Sequence, residues 1–586
     1  MISEQVVPTQ GVPQPGRQMS RWQLAVIGAV VALAVVIGVV LGLTVLSGRT
    51  IALGSSAAYL PADTVMYGEA RLDLSAGQSS ALRSILQRFP AADADVGLLQ
   101  AIGDAVDQGL AQSGSSLTYA DDVAPWFDGR VAFAVLDYPL ASLAADPTQL
   151  PNVALLFGVK DGAAASAFSD QLRELGGQSG SALTATQHAG VTIWGTDADG
   201  ASGMSVGFAY AVTGDQLLVS TKRETIESLI DTHASSDSLA TRQELSQLSA
   251  HLPSEWVGFF AMDTRQMFDA VRAAAEQEDP AVTALLDQYL ADVPPFVVGS
   301  LGLEADAFVL HGATRLPGGD FAPTNDRRDL AGRVPASALL FADGNRVGDG
   351  LVRLITTMRA TIATQPDGDQ ATAMLEQAEA ALGADLEDFV RWIGSGALAV
   401  GFEEGMPYGG LVLHADDVDA ARQRLGQLRG LIELGAGQSG QDLTITTDSV
   451  EGVEVTTISA ATGTGGDVGS VVPAVVVQYA IDGESVLIGF GDQFVGRSLR
   501  LGDGDSLADA ARFTTAVSRF GGEDNAGVMF LDLAGARSAI EQSLGVMLPS
   551  EYDEQIKPNV APLDYFVNVT RVEGDVVVSR GGLVLR

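Results

Sequence analysis

A serine flanked by glycines is the first residue in this sequence that could carry chemistry. Gly203-Met204-Ser205-Val206-Gly207 matches G-x-S-x-G, the pattern of serine hydrolases in which the nucleophile stands at a turn from a strand into a helix. Here the polar sequence TDADGAS leads into the motif, and the run Phe208–Val212 after it has the character of a strand. The pattern therefore indicates a loop that feeds a strand.

Two glycine-rich stretches invite comparison with phosphate-binding loops. GTGGDVG begins at Gly463 between two strand-like runs, and GFGDQFVG begins at Gly489 between a strand-like run and a short helical one. Neither has the lysine of a Walker loop or the spacing of a dinucleotide fingerprint. Both stretches predict turns.

Short acidic runs are candidates for calcium because Ca²⁺ prefers hard oxygen ligands. Three runs have this character: Asp197-Ala198-Asp199-Gly200, Asp367-Gly368-Asp369 and Asp503-Gly504-Asp505. None is followed by the closing glutamate of a twelve-residue calcium loop, and each resembles an ordinary Asp–Gly turn. The sequence predicts no cofactor, with calcium as the one ligand left open.

Metal and thiol chemistry have little material to work with. The chain has no cysteine, which excludes disulfides, thiolate catalysis and Cys-ligated metals. Its five histidines, with no H-x-x-x-H or similar spacing, are His188, His233, His251, His311 and His414. We expect the last two, which lie in apolar strand-like runs, to be core residues. We expect the same role for Trp126 and Trp392, so no metal site is predicted.

Two aspartates occupy matching positions in the two halves of the chain. Asp263 and Asp532 each follow an apolar strand-like run and precede a helical one. Because a carboxylate there accepts hydrogen bonds from unpaired helix N–H groups, both are predicted N-caps. Gln266 would complete a capping box with Asp263. A catalytic carboxylate pair would require both aspartates in one cleft, which the sequence does not establish.

The composition limits the class of function. The 586 residues include 73 acidic and 34 basic side chains, a net charge of −39, while hydrophobic residues make up 46%. A body this acidic is unsuited to general nucleic-acid binding, which requires a basic surface. The apolar content is ample for buried cores. The composition indicates a folded, acidic protein.

One segment is apolar throughout. Residues 24–46, LAVIGAVVALAVVIGVVLGLTVL, carry no charge and would reach about 34 Å as a helix, enough for a bilayer core of about 30 Å. Arg17 and Arg21 precede the segment and Arg49 follows it, which favours a cytoplasmic N-terminus. We therefore predict a single-pass signal anchor, with the bilayer as its partner and the bulk of the protein extracytoplasmic.

Small residues recur along this segment. Ala34, Gly38 and Gly42 share one face of the predicted helix, and such a stripe permits close helix approach. We consider it a candidate helix-pairing face, for a homodimer or for another membrane protein. The alternative is that small residues are simply common in single spans.

The rest of the chain is a tandem duplication. LPADTVMYGEARLD from Leu60 is echoed by VPASALLFADGNRV from Val334, and YAVTGDQLLVS from Tyr210 by YAIDGESVLIG from Tyr479. Further blocks recur in the same order at similar offsets, including the Gly-Gln-Ser-Gly sequences that begin at Gly177 and Gly437. Repeats of this kind organise a fold before any motif does.

The pattern within each half mixes strands and helices. Strand-like runs such as Val153–Val159 are separated by hairpin signals, for example Thr213-Gly214-Asp215, and by helical stretches such as Thr264–Glu278. We predict a transmembrane helix followed by two α+β domains with mainly antiparallel sheets. The predicted segments are a disordered tail (1–23), the anchor (24–46), a juxtamembrane linker (47–58), the first domain (59–315), a linker (316–333) and the second domain (334–586).

The sequence after the apolar segment resembles a known family. LPADTVMYGEARLD and the DVAPWFDGR block that leads into a strand are similar to the bacterial domain-of-unknown-function 3352 family. The resemblance is best over Tyr59 to Leu316. It implies a membrane-anchored bacterial protein that faces away from the cytoplasm, and it carries over no catalytic residue or ligand.

No constellation of residues in the sequence outweighs its structural explanation. We therefore predict a non-enzymatic, membrane-anchored, extracytoplasmic protein with a binding, scaffold or envelope-associated role. One alternative is a cell-envelope hydrolase with an acidic cleft between the halves, and another is an accessory subunit that docks through its transmembrane helix. A polar pocket with converging carboxylates favours the enzyme, whereas a broad exposed apolar patch favours partner binding.

Overall fold

A computed structural model gives the fold of most of the chain after residue 54. It describes residues 55–90, 103–104, 106–108, 111, 116–137, 152–178, 183–196, 208–235, 237–278, 283, 293–317, 322–364, 368–403, 405–439, 443–460, 475–545, 548–549 and 551–586.

Twenty strands are present in these ranges. They are β1 (Met66–Arg71), β2 (Phe127–Val135), β3 (Val153–Val159), β4 (Thr184–His188), β5 (Val191–Thr196), β6 (Phe208–Val212), β7 (Gln216–Ser220), β8 (Gly258–Met262), β9 (Val297–Glu304), β10 (Ala307–Arg315), β11 (Ala338–Gly344), β12 (Ile393–Glu403), β13 (Met406–Ala415), β14 (Leu443–Val450), β15 (Val453–Ala460), β16 (Val475–Asp482), β17 (Ser485–Phe490), β18 (Gly527–Asp532), β19 (Leu563–Glu573) and β20 (Val576–Leu585).

The helices connect strands and pack on the sheet. They are α1 (Ala76–Leu86), α2 (Gly162–Gln178), α3 (Arg223–Ala234), α4 (Gln243–Ser249), α5 (Thr264–Glu278), α6 (Val347–Thr364), α7 (Gly368–Leu382), α8 (Leu386–Val390), α9 (Val418–Ser439), α10 (Phe494–Leu499), α11 (Ala511–Phe520), α12 (Leu533–Leu544) and α13 (Lys557–Val560).

All twenty strands belong to one antiparallel sheet. From edge to edge the order is β4-β5-β6-β7-β3-β2-β1-β8-β9-β10-β20-β19-β18-β11-β12-β13-β17-β16-β15-β14. Each half of the sheet can be read from its own outer edge, β4 in the first repeat and β14 in the second. Read in this way, each strand of the second repeat occupies the position of the first-repeat strand whose number is ten lower. The two repeats therefore have the same strand order and meet in the middle of the sheet.

The joint between the repeats is the pairing of β10 with β20. It runs over nine residue pairs, from Ala307 opposite Val584 to Arg315 opposite Val576. Pairing satisfies the N–H and C=O groups that each repeat would otherwise expose at this edge. The cores also cross the joint. Ala307 of β10 packs in the core of the second repeat, and Val576 of β20 packs in the core of the first.

The predicted fold is wrong in its architecture. We expected a transmembrane helix followed by two α+β domains with their own sheets, whereas both repeats build one continuous sheet. The predicted linker, residues 316–333, does not separate the repeats, because it packs against the sheet. Its Asn325 donates the side-chain amide to the carbonyl of Val572 in β19 at 2.9 Å. The predicted anchor, residues 24–46, lies outside the described residues. Within the described ranges, no helix is long and apolar enough to cross a membrane.

Local signals place many elements correctly. The hairpin predicted at Thr213-Gly214-Asp215 joins β6 to β7, and Asp482-Gly483-Glu484 joins β16 to β17. In the second turn Gly483 has φ +59°, a left-handed conformation that glycine adopts without strain. Strand β3 occupies the predicted range Val153–Val159 and helix α5 the range Thr264–Glu278. These turns and elements fix the register of each repeat.

Candidate functional site

The first candidate site is a cleft of about 480 Å³ beside the start of β2. It is lined by four aspartates (Asp73, Asp104, Asp107 and Asp128), together with Lys160 and the ring of Tyr119. We call it the acidic cleft. It lies within the first repeat, not between the halves, where the hydrolase alternative had placed an acidic cleft.

The wall of the acidic cleft depends on a close approach of two strands. The Leu72 N–H donates to the Gly129 carbonyl at 2.7 Å, and Gly129 has φ +92°. A Cβ at position 129 would lie 3.0 Å from the backbone nitrogen of Asp73. Glycine thus allows β1 and β2 to bring Asp73 and Asp128 to the same cleft.

Three of the four carboxylates already bind neighbouring residues of the fold. Asp128 accepts the Arg130 N–H at 2.8 Å and binds its guanidinium, and Asp73 pairs with Arg71 at 3.3 Å. Asp107 accepts the Tyr119 N–H at 2.5 Å. In the part of the chain that the structure describes, no group of three or more acidic or histidine side chains could hold a metal ion. The cleft is acidic, and Asp73, Asp107 and Asp128 each hold a partner within the fold.

A buried carboxylate on β1 is a feature that the sequence analysis missed. Glu69 is 1% exposed and accepts the hydroxyl hydrogen of Tyr67, which is equally buried. Burial, and then the charge of Glu69, raise the pKa of Tyr67 well above its usual value. Tyr67 therefore stays protonated and donates to the carboxylate. Because Glu69 is inaccessible to solvent, this pair is part of the core and not a substrate site.

The second repeat has a buried carboxylate at the same place. Asp343 aligns with Glu69 in the repeated block, and its two oxygens bind the guanidinium of Arg328 at 3.1 and 3.3 Å. The N–H of Val528 donates to Asp343 at 2.7 Å. The alignment of Gly68-Glu69-Ala70 with Ala342-Asp343-Gly344 is the sequence signal that could have identified these two matching carboxylates.

The second cavity, about 370 Å³, lies where the chain enters the first repeat. The Tyr59 hydroxyl donates to Asp215 at 2.6 Å, and the Tyr59 ring stacks on His233 with centroids 3.8 Å apart. Burial, followed by the hydrogen bond to Asp215, raises the pKa of Tyr59. In the second repeat Arg333 pairs with Asp482 at 2.6 Å in the same place. The recurrence indicates that this contact fastens each repeat's entering segment to a hairpin.

An exposed apolar surface covers part of the sheet in the second repeat. Cross-strand pairing places Val400 and Phe490 in one row, through Gly409, and Leu398 and Met529 in the next, through Ala342. We call these four residues the apolar face. Phe490 is 56% exposed, Met529 43%, and Leu398 and Val400 38% each. The alternate residues Ala399 and Phe341 point to the buried core.

The four side chains of the apolar face are more exposed than their counterparts in the first repeat. Val135 is the counterpart of Val400, because Val135 pairs with Met66 in the first repeat and Val400 pairs with the aligned Leu340 in the second. Val135 is buried, whereas Val400 is exposed. At the position of Phe490, the first repeat has Thr221. The fold therefore does not by itself require these side chains to be exposed.

Several predicted site residues cannot be placed. The small-residue stripe Ala34, Gly38 and Gly42, the G-x-S-x-G motif, the stretch from Gly463, and the acidic residues Asp197, Asp199 and Asp367 all lie outside the described residues. Asp505, from the third acidic run, accepts the Gly502 N–H at 3.3 Å, as expected of a turn. The stretch from Gly489 forms a turn between β17 and α10, with Gly491 at φ +90°.

The two matching aspartates are N-caps, as predicted. Asp263 accepts the Gln266 N–H at 3.0 Å, and Asp532 accepts the Gly535 N–H at 2.6 Å. Each also binds an arginine: Asp263 pairs with Arg242, and Asp532 with Arg512, both at 2.7 Å. Both carboxylates are thus occupied by their own helix and ion pair.

The aromatic and histidine predictions have mixed outcomes. Trp126 and Trp392 are buried as predicted, and the Trp126 indole donates to the Asp122 carbonyl at 2.9 Å. The prediction that His414 lies in the core is wrong, because its side chain is 42% exposed beside Asp416. His414 is the second-to-last residue of β13 and lies opposite Ser485, the first residue of β17.

Comparison with known proteins identifies one family. No curated protein and no solved structure matches this chain. The family model described as a protein of unknown function, DUF3352, matches residues 25–565. The match spans both repeats, and so extends well beyond the region where the resemblance was expected to be best. This chain therefore belongs to the DUF3352 family.

Proposed function

We propose that this protein is a non-catalytic docking protein that is tethered to a membrane through residues 24–46 and binds a protein partner with its apolar face. The observation that carries the proposal is the apolar face itself. Four large apolar side chains in adjacent rows of the sheet are exposed together. Contiguous apolar patches on a folded protein mark surfaces that bind other molecules.

The charge of the protein favours a protein over a lipid surface as the occupant. From residue 51 onward the chain has 34 − 3 = 31 basic and 73 − 1 = 72 acidic residues, a net charge of −41. Such a body is repelled by anionic headgroups, which attract basic segments instead. We therefore expect a partner whose contact surface is apolar at its centre and basic at its rim, since complementary rim charge speeds association.

The acidic cleft supports the alternative of an envelope hydrolase less well. A general acid and base must be free to reach a substrate, whereas Asp73, Asp107 and Asp128 are engaged by Arg71, the Tyr119 N–H and Arg130. The hydrolase alternative predicts that Asp104→Asn together with Asp128→Asn would abolish an activity on envelope substrates. The docking proposal predicts no such activity to abolish.

Crosslinking in native membranes tests the proposal. A photoreactive residue is placed in the full-length protein at position 490 or 398, and as a control at Ile540 of α12, which is 49% exposed but lies outside the apolar face. We expect one protein to be captured from positions 490 and 398 and not from 540. Its crosslinked segment should be apolar with basic flanks, and capture should be lost with Val400→Asp.

Two outcomes would overturn the proposal. Equal capture from position 540 would mean that the apolar face has no special role. Crosslinks from positions 490 and 398 to lipid alone would mean that the face lies on the bilayer.

A further inference from the structure

The twenty-stranded sheet ends at β14. Among the described residues this strand pairs with β15 alone, in an unbroken register from Leu443 opposite Ala460 to Val450 opposite Val453. Its sequence is LTITTDSV, and five of its eight residues are exposed. Within the described part of the chain, the other side of β14 therefore presents a row of backbone donors and acceptors that a further strand could pair with.

This edge lacks the usual protections against strand addition. Natural edge strands are blunted by proline, lysine, bulges or short length. β14 has no proline, glycine or lysine and no register shift, and it is eight residues long. Asp448 is its one charged residue. At the opposite end of the sheet, β4 has only five residues. An arginine contacts the outermost strand at each end: Arg223 of α3 donates to Thr184 and Thr186 of β4, and Arg429 of α9 donates to Thr447 of β14 at 3.5 Å.

We propose that β14 pairs with β14 of a second copy of this chain, antiparallel and about a two-fold axis between Thr446 and Thr447. In this register Thr446 lies opposite Thr447 of the other copy, Ile445 opposite Asp448, and Leu443 opposite Val450. No two carboxylates are opposite each other, and facing threonines are a favourable cross-strand pair. A parallel in-register pair would instead align Asp448 with Asp448.

The molecule already contains a joint of this kind. β10 and β20 join the two repeats edge to edge and antiparallel, at equivalent strands of the repeats, over nine residue pairs. Pairing of β14 with itself would repeat that arrangement between chains and continue the sheet. It also closes after two copies, because a two-fold contact consumes the same edge on both chains.

Charge substitutions at Ile445 test this interface in the full-length protein in detergent. Ile445→Asp places a carboxylate opposite Asp448 twice in the dimer, whereas Ile445→Lys places an ammonium there. Both variants lose the same isoleucine, so their difference in dimer affinity reports the sign of the new charge and not the loss of apolar contact. By sedimentation we expect a dimer dissociation constant about tenfold higher for Ile445→Asp than for the wild type, and one for Ile445→Lys at least about tenfold lower than for Ile445→Asp.

Disulfide trapping tests the register, because the wild-type chain has no cysteine. Mixed T446C and T447C chains should form a crosslinked pair under mild oxidation, whereas T446C mixed with a control variant at Ser543 of α12 should not. A monomeric protein would overturn the proposal. So would a dimer whose affinity is the same in both Ile445 variants, the result expected if Ala34, Gly38 and Gly42 alone hold two copies together.

Discussion

At the scale of single residues, the two repeats bury a carboxylate at the same position but satisfy it differently. Glu69 accepts a hydroxyl hydrogen from Tyr67, while Asp343 binds a guanidinium and a backbone N–H. Phe341 replaces Tyr67 in the second repeat, so the donor must come from elsewhere. Arg328, in the segment between the repeats, supplies it.

Removal of Arg328 should therefore be costly. Its side chain is 3% exposed and that of Asp343 is 7%, so Arg328→Met leaves a buried charge with one backbone donor. We expect a loss of about 3–5 kcal/mol in the free energy of unfolding, measured by urea denaturation.

The matched control for Arg328 is Arg422. It pairs with Asp419 at 3.0 Å, but the two side chains are 59% and 95% exposed. Exposed pairs contribute little, so Arg422→Met should change the free energy of unfolding by less than about 0.5 kcal/mol. Equal effects of the two substitutions would show that burial does not determine the contribution of these arginines.

At the scale of elements, Asp532 links β18 to α12. Its carboxylate caps the helix and also binds Arg512. Asp532→Ala removes both contacts and should cost about 1–2 kcal/mol, whereas Asp532→Asn keeps a capping oxygen and should cost less. Urea denaturation of the two variants measures the difference. If the asparagine variant is no more stable than the alanine variant, the cap is not what stabilises this end of α12.

A second element-scale contact spans the joint between the repeats. Arg519 of α11 binds Asp306, in the turn between β9 and β10, at 2.8 and 3.1 Å. The hydrogen bond from Arg519, partly opposed by burial, lowers the pKa of Asp306. A lowered folded pKa means that the contact stabilises the protein above the unfolded value of about 3.9 and stops doing so as the pH falls through the folded value.

The variant Asp306→Asn should reveal this pH dependence. We expect the wild type to be more stable than the variant at pH 7 by at most about 1 kcal/mol, because the pair is partly exposed. Urea denaturation from pH 7 to pH 3 should show the difference narrowing below about pH 4. A difference that stays constant down to pH 3 would contradict a role for the Asp306 charge.

Elements with a local signal could be predicted from the sequence, and those without one could not. The apolar run Val153–Val159 predicts a strand, and the sequence Asp482-Gly483-Glu484 predicts the turn of a hairpin. β4 has the sequence TATQH and is mostly exposed, so it lacks the alternation of apolar residues that reveals a strand. The burial of Glu69 could not be predicted either, because a charged residue in a strand-like run is expected to face solvent.

At the scale of the whole molecule, the joint between the repeats is invisible in the sequence. β10 and β20 each read as ordinary strands, and their partners in the joint lie more than two hundred residues apart. Pairing of two edges depends on backbone groups that every residue has, so composition gives no clue to it. The repeat pattern predicted two similar units, and the structure shows that they share a sheet and parts of each other's core.

A shared joint predicts that the repeats unfold together. Leu156 of β3 is fully buried in the core of the first repeat, and Leu156→Ala should cost about 2–5 kcal/mol. Because Val576 and Val578 of β20 pack in that same core, loss of the first repeat exposes an edge and apolar side chains of the second. Hydrogen exchange measured against urea should therefore show peptides from β18 and β19 losing protection at the same lowered urea concentration as peptides from β2 and β3.

The control for this experiment is Leu354→Ala on α6, where the side chain is 60% exposed and no shift is expected in either repeat. If Leu156→Ala lowers protection in the first repeat and leaves β18 and β19 unchanged, the repeats are independent units that merely touch. If both shift together, the β10–β20 pairing transmits stability across the molecule. In that case a destabilising core substitution in either repeat would lower the stability of the regions that form both the acidic cleft and the apolar face.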